Sequence, residues 1–185
     1  MKGSLVAIVT PMFANGEIDF NSLKKLFNFH EENGTNGIVL VGTTGESATL
    51  DKHERAKIFS FAREETNLPL MAGVGSSSTR DALELCEIAL KNGINDCLAV
   101  TPYYNKPSQK GLLLHFKELA KTSANIVLYN VPGRTGVDLD PLTTKELSSV
   151  SNITGIKEAV DSTKRFEALK NIKDGNPDFL LYSGD

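Results

Sequence analysis

Short, continuously apolar runs alternate with helical patterns along this chain, and no other feature restricts its fold as much. The runs cover residues 5–10, 37–42, 69–74, 97–101, 126–130, 154–157 and 179–183. They are rich in β-branched residues and apolar at every position rather than every second one. That is the pattern of strands buried on both faces, as in a parallel sheet. Between them lie amphipathic helical faces: Leu23, Leu26, Phe27 and His30; Ala82, Leu85, Cys86, Ala89 and Leu90; Leu112, Phe116, Leu119 and Ala120. Punctuation agrees with this division. Asp51 and Glu54 have the spacing of a capping box, Asp140-Pro141 reads as N-cap and first helical residue, and Gly34 and Gly93 read as residues that close helices.

The βα units recur at a spacing of roughly 30 residues, with no linker between them. Such a series builds either a doubly wound sheet or a (β/α)8 barrel. The dinucleotide fingerprint of the first is missing: Gly73-Val74-Gly75 is a partial match, with Ser78 where a third glycine belongs. The even spacing favours the (β/α)8 TIM barrel, in the α/β class. A whole barrel takes about 250 residues. The 185 residues therefore read as one partial (β/α)8 catalytic domain, 1–185, truncated after about seven strands.

A formal charge of -3 and a pI near 5.7 argue against nucleic-acid or anionic-membrane partners, whose footprint is basic. The apolar runs are too short to span a bilayer or to serve as a secretory segment, so a cytoplasmic protein is expected. Cys86 and Cys97 lack CxxC spacing and read as core residues. His30, His53 and His115 lie in helical stretches with no i, i+4 pair, which argues against a metal site.

Polar residues collect where strands end, the side of a barrel that carries active sites. The second run ends in GTTGE, residues 42–46, a glycine-rich turn with two hydroxyls that could cradle an anion or be an ordinary βα turn. The fourth enters TPYYNKP, residues 101–107, and the fifth ends YNVPGRTG, residues 129–136. Tyr129 there closes a strand, and Arg134 is either a carboxylate clamp or a surface ion-pair member. The sixth, ITGIKEAVD at 153–161, places Lys157 in an otherwise buried strand. Lys157 and Glu158 must point to opposite faces. If Lys157 points inward it meets Tyr129. Burial favours a neutral amine, the form that attacks a ketone to make a Schiff base.

Taken together, "LVAIVTPM", "VGTTGESATL", "VTPYYNKPSQKGL", "LYNVPGRTG" and "GIKEA" resemble the 4-hydroxy-tetrahydrodipicolinate synthases, also called dihydrodipicolinate synthases. These belong to the pyruvate-dependent class I aldolases, with N-acetylneuraminate lyase. The likeness runs from Gly3 to Asp185. It implies condensation of pyruvate with L-aspartate 4-semialdehyde in the diaminopimelate route to lysine, with no metal or organic cofactor. Lys157 would form the imine, and Tyr129, Thr43 and Tyr104 would relay protons. Thr43 and Thr44 would cradle the pyruvate carboxylate, and Arg134 would receive the aldehyde's carboxylate. Gly184 is placed with the substrate-binding residues. The resemblance further implies a homo-oligomer, a dimer of dimers, with Tyr104 reaching into the neighbouring subunit's site.

Departures accompany the likeness. The family's eighth strand and C-terminal helical domain have no counterpart in the 185 residues. Many members are inhibited by lysine in a cleft at the dimer interface, where Ser47, Ala48 and Tyr103 match. Lys52, Arg55 and Ser77 replace two histidines and an asparagine of the sensitive pattern, and Asp81 replaces a glutamate. Added cations would repel a lysine ligand. The alternatives are a related aldolase, acting on N-acetylneuraminate or a 2-keto-3-deoxy sugar acid, and an inactive fragment.

Overall fold

The computed structural model describes residues 1–184. Its elements, in chain order, are β1 (Leu5–Ala7), α1 (Phe20–Glu32), β2 (Gly37–Leu40), α2 (Lys52–Glu65), β3 (Leu70–Gly73), α3 (Thr79–Lys91), β4 (Asp96–Val100), α4 (Gln109–Leu119), β5 (Asn125–Asn130), α5 (Pro132–Thr135), α6 (Pro141–Leu147), β6 (Ile153–Glu158), α7 (Thr163–Gly175) and β7 (Leu180–Ser183). The fold class is α/β: strand order in the sheet follows chain order from β1 to β7, as expected of a (β/α)8 series. By compactness the chain divides into two units, Met1–Gly73 with Ile88–Asp96, and Val74–Glu87 with Cys97–Asp185.

In the first unit β1, β2 and β3 pair in parallel, with Val6 beside Ile38 and Val39 beside Met71. Every residue of β2 and β3 is buried, which accounts for their unbroken apolar runs. The strand β1 is shorter than the run 5–10. Ile8 N still donates to Val39 O, but Thr10 turns its hydroxyl to Gly45 O, 2.7 Å away. Leu23 and Phe27 of α1 and Ile58, Phe59 and Ala62 of α2 are buried. Asp51 caps α2 in the expected box, accepting from Glu54 N at 2.8 Å while the Glu54 carboxylate accepts from Asp51 N at 2.8 Å. Gly34 and Gly93 both take left-handed backbone, φ +74° and +72°, as residues just beyond helix ends.

In the second unit β5, β6 and β7 pair in parallel. Leu112, Phe116 and Leu119 of α4, Leu147 of α6 and Leu169 and Ile172 of α7 are buried. Asp140 stands at the N-cap of α6 with Pro141 behind it, although its side chain makes no capping hydrogen bond. The stretch after β5 is helical rather than an open loop. Pro132–Thr135 is a single helical turn, compatible with proline at its first position and stopped by Gly136 at φ 71°. Cys86 and Cys97 are both fully buried. No helix of the described residues is long and apolar enough to cross a membrane.

Candidate active site

Strands β5 and β6 come into register at their C-terminal ends, and that register makes the site. Tyr129 lies beside Lys157, and Asn130 beside Glu158. The alignment is not continuous. Ile126 pairs with Ile153, but Val127 pairs with Gly155, so Thr154 is an extra residue accommodated as a bulge. Neighbouring rungs then present opposite faces. On one face the Lys157 Nζ stands 4.7 Å from the centroid of the Tyr129 ring, within reach of a cation–π contact. The ring itself is 6 % exposed, while Lys157 is half-buried. Tyr182 of β7 is the register partner of Lys157 on its other side.

The opposite face holds a polar network that motif reading did not reveal. Asn130 Nδ2 donates to Glu158 Oε1 at 2.9 Å and to Asp138 Oδ1 at 2.7 Å. The Glu158 Oε1 also accepts from Val160 N at 3.0 Å. Asn130 Oδ1 accepts from Leu139 N at 3.0 Å. Arg165, reaching back from α7, donates to Leu139 O at 2.8 Å, pairs with Asp138 and brings its Nε to 3.7 Å from Glu158 Oε2. Asn130 is 0 % and Arg165 8 % exposed. Burial pushes the Glu158 carboxyl above its usual range; the Arg165 charge and the Asn130 hydrogen bond oppose that rise. The sequence did carry one clue: a glutamate of the opposite parity to Lys157 faces the buried side and needs partners. It could not name them, because Asn130 lies on the neighbouring strand and Arg165 on α7.

The other candidate residues of the second unit lie in the segments after β3, β4, β5 and β7. Tyr104 is 92 % exposed and holds φ at 74°, while nearby Lys106 holds φ at 46°. Left-handed backbone is rare for such side chains and gathers in functional loops. Asn105 fixes this loop by donating from Nδ2 to Ser77 O at 3.2 Å. Tyr103 is half-buried and Asp81 lies in the first turn of α3. Arg134 is exposed on α5 and makes no salt bridge among the described residues, so its guanidinium is not held in a surface ion pair there. Gly184 donates its N–H to Glu158 O at 2.7 Å. A Cβ at Gly184 would meet Ala159 Cβ at 2.7 Å and Glu158 O at 2.9 Å, so only glycine fits.

In the first unit, the turn after β2 presents Thr43 and Thr44 as exposed residues. It closes through Glu46 N to Thr43 O at 3.1 Å and Ser47 N to Gly42 O at 3.2 Å. Gly45 packs against the segment that follows β1: a Cβ there would stand 3.0 Å from Ile8 O and 3.1 Å from Thr10 Oγ1. Val41 and Glu46 both hold positive φ, at 53° and 58°. Arg55, expected in a lysine-binding cleft, is buried, with its guanidinium donating to Leu50 O at 3.2 Å and to Ser47 O. It braces the turn. Lys52 and Ala48 are exposed beside it.

Comparison with known proteins follows from this geometry. The model of the "Dihydrodipicolinate synthetase family" matches residues 1–185. A curated 4-hydroxy-tetrahydrodipicolinate synthase of Stutzerimonas stutzeri is 52% identical over 189 residues, covering 100% of this chain and 64% of that protein. The chain thus spans a little under two thirds of the length of the curated relatives it matches. The chloride-inhibited dihydrodipicolinate synthase of Acinetobacter baumannii, solved with pyruvate, has a TM-score of 0.93 and 46% identity, covering 99% of this chain and 63% of that one. The 4-hydroxy-tetrahydrodipicolinate synthase of Methylacidiphilum fumariolicum SolV has a TM-score of 0.95 at 42% identity, covering 100% of this chain and 62% of that one.

Proposed function

The chain belongs to the dihydrodipicolinate synthetase family, and from that premise we propose that it condenses pyruvate with L-aspartate 4-semialdehyde to 4-hydroxy-tetrahydrodipicolinate through an imine on Lys157. The observation that carries this reading is the Lys157 amine held 4.7 Å over the Tyr129 ring on adjacent strand ends. A lysine set among apolar strand residues beside a phenol has what imine chemistry needs. The neutral amine attacks the ketone carbon of pyruvate. One proton passes from the attacking nitrogen to the former ketone oxygen and a second is delivered to it, so that the oxygen leaves as water. The resulting cationic imine withdraws electrons from the methyl group, so a proton is lost there and a nucleophilic enamine forms. The enamine attacks the aldehyde, and ring closure by the substrate's own amine releases Lys157.

Tyr129 is the proton carrier in this reading, and its buried ring keeps the phenol beside the amine. Arg134 receives the aldehyde's carboxylate, for which an exposed, unsalted guanidinium on a short helical turn is suited. Roles for Thr43 and Thr44 at the pyruvate carboxylate, for Thr43 and Tyr104 in the relay, and for Gly184 with the substrates rest on the motifs. The 92 % exposure of Tyr104 suits a side chain that enters a second copy's site in a dimer of dimers. The test is incubation with pyruvate and borohydride, then peptide mapping. A reduced pyruvyl adduct on Lys157 is expected. An adduct on a different lysine, with Lys157 unmodified, would overturn the mechanism.

A further inference from the structure

Lys157 is the penultimate residue of β6, and strand ends fray unless something holds them. The polar network sits where it can prevent this. It grips Glu158, the last residue of β6, and Asn130, the last residue of β5, on the face away from the amine. Asn130 reaches across the strands, Val160 N anchors the same carboxylate from beyond the strand, and Arg165 ties both to α7 and to Asp138. The backbone adds Ala159 N to Asn130 O at 3.0 Å and Gly184 N to Glu158 O at 2.7 Å. Such a buried, charged network is costly to build. An apolar pair would pack these strands without the desolvation. It would not fix the phase of both strands to within a hydrogen-bond length.

We infer that Asn130, Glu158 and Arg165 are positioning residues for the reaction: they lock the last rungs of β5 and β6 so that the Lys157 amine and the Tyr129 phenol share one geometry. The inference rests on the reading of Lys157 as the imine-forming nucleophile. It assigns a role to side chains that never touch substrate. Loss of the lock leaves the pyruvate cradle intact and misplaces the amine, so the rate of imine formation falls while the pyruvate concentration for half-saturation holds. Misplacement by about an ångström costs up to about 100-fold in rate.

The test uses the full protein and compares wild type with Glu158→Gln, Arg165→Lys and Phe116→Leu. Glu158→Gln keeps an acceptor for Asn130 and Val160 but loses the charge facing Arg165. Phe116→Leu trims a fully buried core residue of α4 that takes no part in the polar network, and controls for general destabilisation. Single-turnover trapping with pyruvate and borohydride gives the imine rate, and thermal unfolding gives stability. The expected result is a loss of about 10- to 100-fold in trapping rate for Glu158→Gln, with half-saturation by pyruvate little changed. Arg165→Lys, which keeps the charge, is expected to recover part of that loss, and Phe116→Leu to trap at the wild-type rate. Glu158→Gln and Arg165→Lys trapping at the wild-type rate would overturn the positioning role while leaving the nucleophile in place. Wild-type protein that traps pyruvate on another lysine would overturn both. Should Glu158→Gln fail to fold, Arg165→Lys alone decides by the same two readouts.

Discussion

Lys157 and Tyr129 occupy one rung of two adjacent parallel strands, with the lysine nitrogen 4.7 Å from the centre of the phenol ring. In the proposed mechanism the phenol oxygen and the ring have separable duties, one in proton transfer and one in supporting the lysine side chain.

Substituting Tyr129→Phe separates them. The ring remains to support Lys157, and only the proton carrier is lost. Turnover is expected to fall by roughly 10²–10⁴-fold, with a much smaller effect on the Michaelis constant for pyruvate. Steady-state kinetics measures both. A change in turnover below about threefold would make Tyr129 a packing residue.

Lys157→Ala is expected to fold and to give no borohydride-stable adduct with pyruvate. Intact mass measurement after reduction reads this directly, and circular dichroism reports folding.

Arg134→Ala is expected to raise the Michaelis constant for the aldehyde and to leave that for pyruvate nearly unchanged. Because Arg134 is exposed and outside any salt bridge among the described residues, stability should hardly move. Equal weakening for both substrates would remove the clamp from the account. The same assay with a panel of sugar-acid aldehydes separates this activity from that of the related aldolases.

His115 gives a pH-dependence of stability. It is buried on α4, its Nδ1 lies 2.8 Å from Thr79 Oγ1, and burial pushes its pKa down from 6.5 to about 4. The folded protein keeps it neutral, while the unfolded chain takes up a proton below its ordinary value. Its contribution is therefore complete above pH 6.5 and is lost as pH falls towards 4, amounting to about 3 kcal/mol. Denaturant unfolding at pH 7 and pH 5 should show the wild type losing more stability than His115→Leu. Parallel losses would mean that His115 is not desolvated.

Weak or absent inhibition by lysine is expected. Arg55 stands where the sensitive pattern has a histidine, and its guanidinium is committed to the carbonyls of Ser47 and Leu50. Lys52 adds an exposed cation nearby. Inhibition at submillimolar lysine in a turnover assay would contradict this.

Much of this was legible in the sequence for identifiable reasons. Buried parallel strands announce themselves as unbroken apolar runs, and the parity of adjacent strand residues separates Lys157 from Glu158 without any structure. The capping box at Asp51 and Glu54 is a local pattern, so it too was readable. What stayed hidden was non-local. The partners of Glu158 come from β5 and from α7, and no short-range periodicity ties Asn130 or Arg165 to β6. Arg55 falls on α2 like any charged helical residue, and only the path of the 47–50 turn makes it a buried brace. Whether Arg134 sits in a surface ion pair depended on its surroundings, which the sequence does not give.

The extra residue in β6 bears on which length changes this chain can absorb. Pairing runs at one offset through Ile126 and Ile153, and at the next offset from Val127 and Gly155 onward. Thr154 belongs to neither ladder, so excising it would join the two in a single uninterrupted phase. Excising Ile156 instead would push every later residue of the strand to the wrong side and send the amine away from the phenol. Two deletions two codons apart thus have opposite fates: the first should be nearly silent in the imine reaction, the second abolishes it with Lys157 and Tyr129 both still encoded.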